Sequence, residues 1–376
     1  MTDKLTEIPS LTTPIFSQNG NGVSLEEVLK LAVDGNASDL HFKVGSPPEL
    51  RKGTKLVPMD NYTPLDHAAM EILLEVILSE KQRKRFSEVG ELDKSLQTTA
   101  ARFRVNAGME RSGPYITIRV IPYDIRQVLS LGFPTPVWRE IISLNHGLVL
   151  VTGVTGSGKS TTLASLIQEI NSTQQKKVIC IEDPIEAVYK KGKSMIIQRE
   201  VGVHTTSFYS GVMHALRQDP DILLIGEIRD QDTAQAALQA AETGHLVFST
   251  LHTKDAAGTI GRYVDLFPEE RKGDIRSALA DNLAYVLCQD LVPYQRVDRV
   301  LAMEIMKNTP AISNLIREGK PEQIPTSIQT SREEGMITMD QCLIHLHAAG
   351  KVSLDVALHY ARRKEYVRKE LNITKK

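Results

Sequence analysis

The residues with the clearest chemical use lie at 153–160. They read G-V-T-G-S-G-K-S and fit the pattern G-x-x-x-x-G-K-[S/T] without a mismatch. Gly153, Gly156 and Gly158 let the backbone curl so that its N–H groups face inward on an anion. The apolar run 148–152 ahead of them reads as a strand, and 160–170 behind them as a helix. The N-terminus of that helix adds partial positive charge. Lys159 is then a point charge for the β- and γ-phosphates of ATP, and the Ser160 hydroxyl is a ligand for Mg²⁺. The expected nucleotide cradle is Gly153, Val154, Thr155, Gly156, Ser157, Gly158, Lys159, Ser160 and Thr161. A glycine-rich turn with an accidental lysine is the plain alternative. The flanking strand and helix weigh against it.

A phosphate cradle needs acids to hold metal and orient water. Residues 221–230 read D-I-L-L-I-G-E-I-R-D, an apolar run ending in an acid. Gly226 stands where an aspartate usually holds Mg²⁺, so Glu227 is the best local carboxylate for the metal side. Residues 182–186 read E-D-P-I-E and end another apolar run. Carboxylates at the C-terminal ends of parallel strands point into the ligand crevice, which places Glu186 to orient and deprotonate an attacking water. Ordinary loop charges are the alternative for each acid alone. His245 and His252 flank L-V-F-S-T-L and mark the two ends of that strand. No cysteine or carboxylate cluster accompanies them at metal-ligand spacing, and packing near the sheet edge is their simpler role.

These groups need a scaffold. Short apolar runs at 147–152, 178–182, 221–226 and 245–251, with helical patterns between most of them, predict a helix-covered parallel sheet. Helices are expected at 310–319, 338–349 and 353–371. The first part of the chain has a different character. Ser24 and Glu27 form a capping box ahead of a helical apolar stripe, and 39–44 reads as a strand. Residues 65–78 read as a helix with Pro64 suited to its first turn, and 102–106 and 115–121 as strands joined through 108–113. The expected organisation is a flexible tail at 1–22, a small α+β domain at 23–123, a linker at 124–136 and an α/β domain with C-terminal helices at 137–376.

The chain has 376 residues, 41% of them hydrophobic and 24% charged, with net charge -1. That balance suits two globular domains and implies no bulk attraction to nucleic acid or anionic membrane. The apolar runs are far short of a membrane span, and the first residues do not read as a secretory signal. Cys180, Cys288 and Cys342 are too scattered for a zinc or disulfide framework, which fits a reducing cytoplasm. Residues 361–376 carry seven Lys or Arg against two Glu. A solvated helix face explains this better than docking at an anionic membrane.

The P-loop, E-D-P-I-E, G-E-I-R-D and T-G-H-L-V-F-S-T-L-H-T occur in that order, and together they resemble the secretion ATPases of type II secretion and type IV pili. A-S-D-L-H at 37–41 and R-F-R-V-N at 102–106 are similar to the family's N-terminal domain. A-I-S-N-L-I-R-E-G-K at 311–320 resembles the signature of the pilus-retraction, PilT-like subclass, with Ser313 in place of an arginine. D-K-S at 93–95 departs from a more usual D-F-S. The alternatives are a PilU-like accessory retraction ATPase or a pilus-assembly or secretion ATPase.

The resemblance implies a RecA-like ATPase domain after a PAS-like N-terminal domain, assembled as a homo-hexamer. It implies Glu186 as catalytic glutamate, Glu227 as metal-side acid, and His245 and His252 as members of a histidine box. It implies phosphate-sensing arginines from the N-terminal domain, for which Arg104 and Arg119 are favoured over Arg102. The implied partners are the pilus inner-membrane platform protein and a paralogous retraction ATPase, at the cytoplasmic face of the inner membrane. A nucleotide-gated ring without turnover and a nucleic-acid motor are the competing classes. The retained Lys159, Glu186 and Glu227 weigh against the first, and near-zero net charge against the second.

Overall fold

The computed structural model describes residues 10–53, 55–121, 125–294 and 298–372. Contacts divide the chain into two units, Met1–Asp124 and Ile125–Lys376.

In the first unit, β1 (Pro14–Gln18) pairs antiparallel with β2 (Asn21–Ser24) through a turn in which Asn19 and Gly20 are both left-handed, with φ of 51° and 84°. Phe16 is buried and stacks on Phe42. The flexible-tail expectation for 1–22 is therefore corrected from residue 10 onward, while 1–9 lie outside the described residues. The signal was the Asn-Gly dipeptide, a hairpin marker. Ser24 then caps α1 (Leu25–Asp34) with the expected capping box to Glu27.

β3 (Asp39–Lys43), β4 (Glu49–Lys52) and β5 (Lys55–Pro58) follow, then α2 (His67–Ile77) and α3 (Glu80–Val89), then β6 (Glu91–Gln97), β7 (Arg102–Glu110) and β8 (Gly113–Ile121). The helix expected from 65 starts later, because Asp66 is its N-cap and accepts from the Ala69 amide; Pro64 is outside it. The six strands form an antiparallel sheet in the order β5-β4-β3-β8-β7-β6. Its central strands β7 and β8 alternate between buried and more exposed side chains over most of their length. Phe103, Val105, Ile116, Ile118, Leu40 and Phe42 form one core with Leu29 of α1 and Leu73 of α2. Lys94, in the position that departs from D-F-S, pairs with Val105 in register, and its ammonium reaches the carbonyl of Ile77 at the end of α2. Its stem covers apolar surface while the charge meets a helix C-terminus.

The second unit begins with residues expected to be a linker. Val128 is buried against the second unit's core, with Leu131 and Phe133 beside it, and 128–131 form a 3-10 turn. Val128 thus anchors this stretch to the second unit, while Arg126, Gln127, Leu129 and Ser130 stay exposed. After α4 (Val137–Ser143) come β9 (Gly147–Thr152), α5 (Lys159–Thr173), β10 (Lys177–Glu182), β11 (Met195–Glu200), α6 (Phe208–Ala215), β12 (Ile222–Ile225), α7 (Gln231–Glu242), β13 (Leu246–Leu251), α8 (Ala256–Val264) and α9 (Lys272–Asn282). A long hairpin, β14 (Leu283–Tyr294) and β15 (Asp298–Lys307), completes a seven-stranded sheet ordered β11-β10-β12-β13-β9-β14-β15. All neighbours pair parallel except β14 with β15.

Both faces of this sheet are covered, so its central strands are mostly apolar, with Thr152, Ser249 and Thr250 the buried polar side chains of β9 and β13. Leu148, Leu150, Ile179, Ile181, Leu223 and Val247 pack on one side with the alanines of α7. Val149, Val151, Val178, Cys180, Leu224 and Phe248 pack on the other with Leu163, Leu166 and Ile170 of α5. β11, β14 and β15 were not read from the sequence.

The C-terminal helices are α10 (Pro310–Arg317), α11 (Ile324–Thr330), α12 (Met339–Ala348), α13 (Leu354–Tyr360) and α14 (Lys364–Glu370). Ser313, in the position that departs from the retraction signature, donates to the Ala280 carbonyl at 2.9 Å and ties α10 to α9. The single helix expected at 353–371 is two. The chain breaks where the Arg362 and Arg363 amides leave the helical ladder and donate to the buried Asp340 carboxylate, at 2.7 and 3.2 Å.

Candidate active site

The site is built where neighbouring parallel strands end together. In the order β10-β12-β13-β9, the next residues along the chain are the E-D-P-I-E loop, Gly226–Glu227, His252 and the P-loop. The four motifs are consequently adjacent at the carboxyl edge of the sheet, where an open α/β sheet binds ligands.

In the P-loop, Gly153 has φ +146°, and a Cβ there would lie 2.3 Å from the Gln289 carbonyl and 2.5 Å from Ser157 Oγ. Only glycine fits. Gln289, on β14 and buried, also donates its side-chain amide to the Ser157 carbonyl at 2.7 Å, so the loop is held from beneath. Gly158 caps α5 in the left-handed region. Lys159 opens α5, and its ammonium donates to the carbonyls of Gly153 (2.9 Å) and Val154 (3.1 Å). Burial holds its pKa below the ordinary lysine range, while the charges of Glu227 and Glu186 pull it back up. Ser160 and Thr161 are exposed on the first turn of α5.

Gly226 explains the departure in the metal-side motif. A Cβ at Gly226 would lie 3.3 Å from the Phe208 ring and 3.4 Å from Glu182 Cα and the Ile181 carbonyl. An aspartate has little room there, and the carboxylate is carried one residue on. Two hydroxyls in the buried strand β13 fix the approach to it. Ser249 donates to the Ile225 carbonyl and Thr250 to the Gly226 carbonyl, each at 2.8 Å. Glu227 pairs with Arg229 and lies 3.7 Å from His252 Nε2. Burial and the Lys159 charge hold His252 below the ordinary histidine pKa. Glu186 is exposed, at the end of a loop pinned by two acids. Its amide is 3.4 Å from Glu182 Oε2, and the Ile185 amide donates to Glu200 at 3.2 Å.

Lys159, Glu227, Glu186 and His252 are thus brought together, and His245 is not. His245 precedes β13, beside the start of β9, with Nδ1 3.0 Å from the Ala240 carbonyl and its own carbonyl accepting from Gly147. The length of β9, about 16 Å at strand rise, separates it from the P-loop. A catalytic role for His245 at its own chain's P-loop is therefore corrected; it closes the turn after α7. Arg229, Gln289, Ser249 and Thr250 were missed. The signal for three of them was available, since polar side chains inside a run destined for burial need partners.

Arg104 and Arg119 lie in the other unit, directly opposite each other on β7 and β8 and on the face away from that unit's core. Like charges so placed repel. Asp93 lies 3.7 Å from Arg104, and Asp39 accepts from Arg119 at 2.8 Å. Both arginine side chains stay substantially exposed, at 42% and 64%.

Among the described residues no group of three or more His, Cys, Asp or Glu side chains converges on one point. Magnesium asks for less, since it is held by one or two protein oxygens together with phosphates and water. Ser160, exposed on the first turn of α5, and Glu227 each carry an oxygen of that kind.

A P-loop between a buried parallel strand and its helix, with acids at the neighbouring strand ends, defines a RecA-like P-loop ATPase. Residues 23–350 match the family described as Type II/IV secretion system protein, and the chain belongs to that family. It is 45% identical to the type IV pilus retraction ATPase PilT of Pseudomonas aeruginosa, over 90% of this chain and 98% of that protein. It is 34% identical to the type IV pilus ATPase PilU of the same organism, over 90% of this chain and 89% of that one. The solved structure of the pilus retraction motor PilT with bound ADP aligns with a TM-score of 0.85 at 39% identity, covering 91% of this chain and 98% of that one.

Proposed function

We propose that this chain is the ATP-driven motor of type IV pilus retraction, working as a homo-hexamer at the cytoplasmic face of the inner membrane. Its partners are the pilus platform protein and, where present, a paralogous retraction ATPase. The observation that carries this reading is the assembled site of Lys159, Glu186 and Glu227 in a chain matching nearly the full length of PilT.

The P-loop amides and Lys159 take up charge on the β- and γ-phosphates, and Glu186 orients the attacking water and accepts its proton. Ser160 and Glu227 would hold Mg²⁺, which would supply positive charge at the phosphate oxygens. Arg104 and Arg119 of a neighbouring subunit complete the neutralisation as the phosphoryl group departs. ATP binding and phosphate release then shift the ring between states that differ in nucleotide affinity. Deletion in the host, followed by counting surface pili and scoring twitching, tests the assignment. Excess pili without motility is the expected result; loss of pili would move the protein to the assembly side.

A further inference from the structure

The loop from His252 to α8 leaves the nucleotide site and ends against the C-terminal helices. At its start His252 lies 3.7 Å from Glu227. In its middle Thr253 Oγ1 is 2.7 Å from Thr259 Oγ1, which is 3.5 Å from Thr152 Oγ1 at the end of the P-loop strand. At its far end Arg362 bonds the Lys254 carbonyl through Nη2, the same nitrogen lying 3.7 Å from Asp290 on β14. Glu304 of β15, 6% exposed, accepts from Ala256 in the first turn of α8 at 2.9 Å. It also lies 3.4 Å from the amide of Met339 in the first turn of α12. One buried carboxylate therefore serves the N-termini of a site-side helix and a C-terminal helix. Arg362 is itself fixed by Asp340 of α12, 2% exposed, which takes its amide and the Arg363 amide and guanidinium.

We propose that the C-terminal helices set the position of the His252 loop, and that Arg362 is the positioning residue through which they do so. Only Thr253 lies between His252 and Lys254, whose carbonyl Arg362 holds. Arginine suits the task, since the two N–H groups on Nη2 are held in the plane of the guanidinium, whereas the donors of a lysine rotate freely. The basic run after 361 is accordingly not all solvated surface: Arg362 and Arg363 are used inside the second unit.

The consequence for turnover rests on the ATPase reading above; the consequence for the loop does not. Amide exchange of Arg362→Ala without nucleotide is expected to rise about tenfold or more over 253–258, while α5 keeps wild-type protection. Its kcat is expected to fall about tenfold with nucleotide affinity within about twofold. Arg362→Lys should recover part of both effects. Arg368→Ala, in the same segment and paired with exposed Glu365 one helical turn away, should leave both unchanged. Asp290→Asn keeps the shape of its site and is read in the same way if Arg362→Ala fails to fold. Wild-type exchange over 253–258 in the folded variant would overturn the proposal. So would equal losses of kcat and nucleotide affinity, which would mark a general structural defect. A wild-type protein without ATPase activity would instead overturn the functional reading, and the exchange result would still decide this one.

Discussion

Glu186 and Glu227 are both carboxylates beside Lys159, yet they are held differently. Glu227 is tied to Arg229 and faces His252, whereas Glu186 is exposed at the end of a pinned loop. That contrast separates their expected roles. Glu186→Gln should lose turnover by about a hundredfold or more while Mg²⁺–ATP stays bound, because a water-orienting base acts in the transition state. Glu227→Gln should weaken the Mg²⁺ dependence of nucleotide affinity itself. Titrating Mg²⁺ against nucleotide binding in each variant checks the assignment, and the reverse pattern would exchange the two roles. His252 carries a pH signature. Burial and Lys159 lower its pKa in the folded protein, so as pH falls below about 6.5 the unfolded chain takes up the proton first. The stability it contributes is present above that pH and is lost on acidification toward the folded pKa. Thermal melting should therefore fall as pH drops below about 6.5, with a shallower slope in His252→Gln. His41 and His345, lowered chiefly by burial, act in the same direction and should leave part of the slope in that variant.

At the scale of elements, the site depends on strands ending in register. β12 contributes only Ile222–Ile225, all buried, and delivers Glu227 through a glycine closely approached by Phe208. Gly226→Ala should cost roughly 1–3 kcal/mol by overpacking against Phe208 and Glu182, read as a lower melting temperature. Gly226→Asp, which restores the more usual residue, should be less stable still. Combined with Glu227→Gln it should not regain turnover, because the backbone that would carry the new carboxylate must move. Recovery of ATPase activity in that double variant would show that the two positions are interchangeable here. The neighbouring supports, Ser249 and Thr250, are polar residues inside a fully buried strand whose hydroxyls bond the peptides leading to Glu227.

At the scale of the whole molecule, the phosphate cradle and the candidate arginines belong to different units of one chain. If Arg104 serves a neighbour's nucleotide, Arg104→Ala should bind nucleotide but turn over about a thousandfold or more slower. Mixing it with Lys159→Ala subunits should restore activity from two inactive parents, since an intact arginine then meets an intact P-loop. Freely exchanging subunits without recovery would rule out action in trans. Much of this was legible in the sequence. The P-loop, the acids after apolar runs and the parallel sheet could be read locally, because each depends on residues adjacent in the chain or on a short period. The Asn19–Gly20 hairpin was legible too and was passed over for its polar composition. Other features depend on neighbours distant in sequence. That His252 reaches Glu227 while His245 does not follows from the direction of β13 within its sheet. That a side chain at Gly226 is crowded follows from Phe208 and Glu182, and that Arg362 and Arg363 break a helix follows from Asp340. Sequence patterning specifies which face of an element is buried; only the packed structure decides which distant side chain meets it, because that contact is set by the order and direction of strands rather than by spacing along the chain.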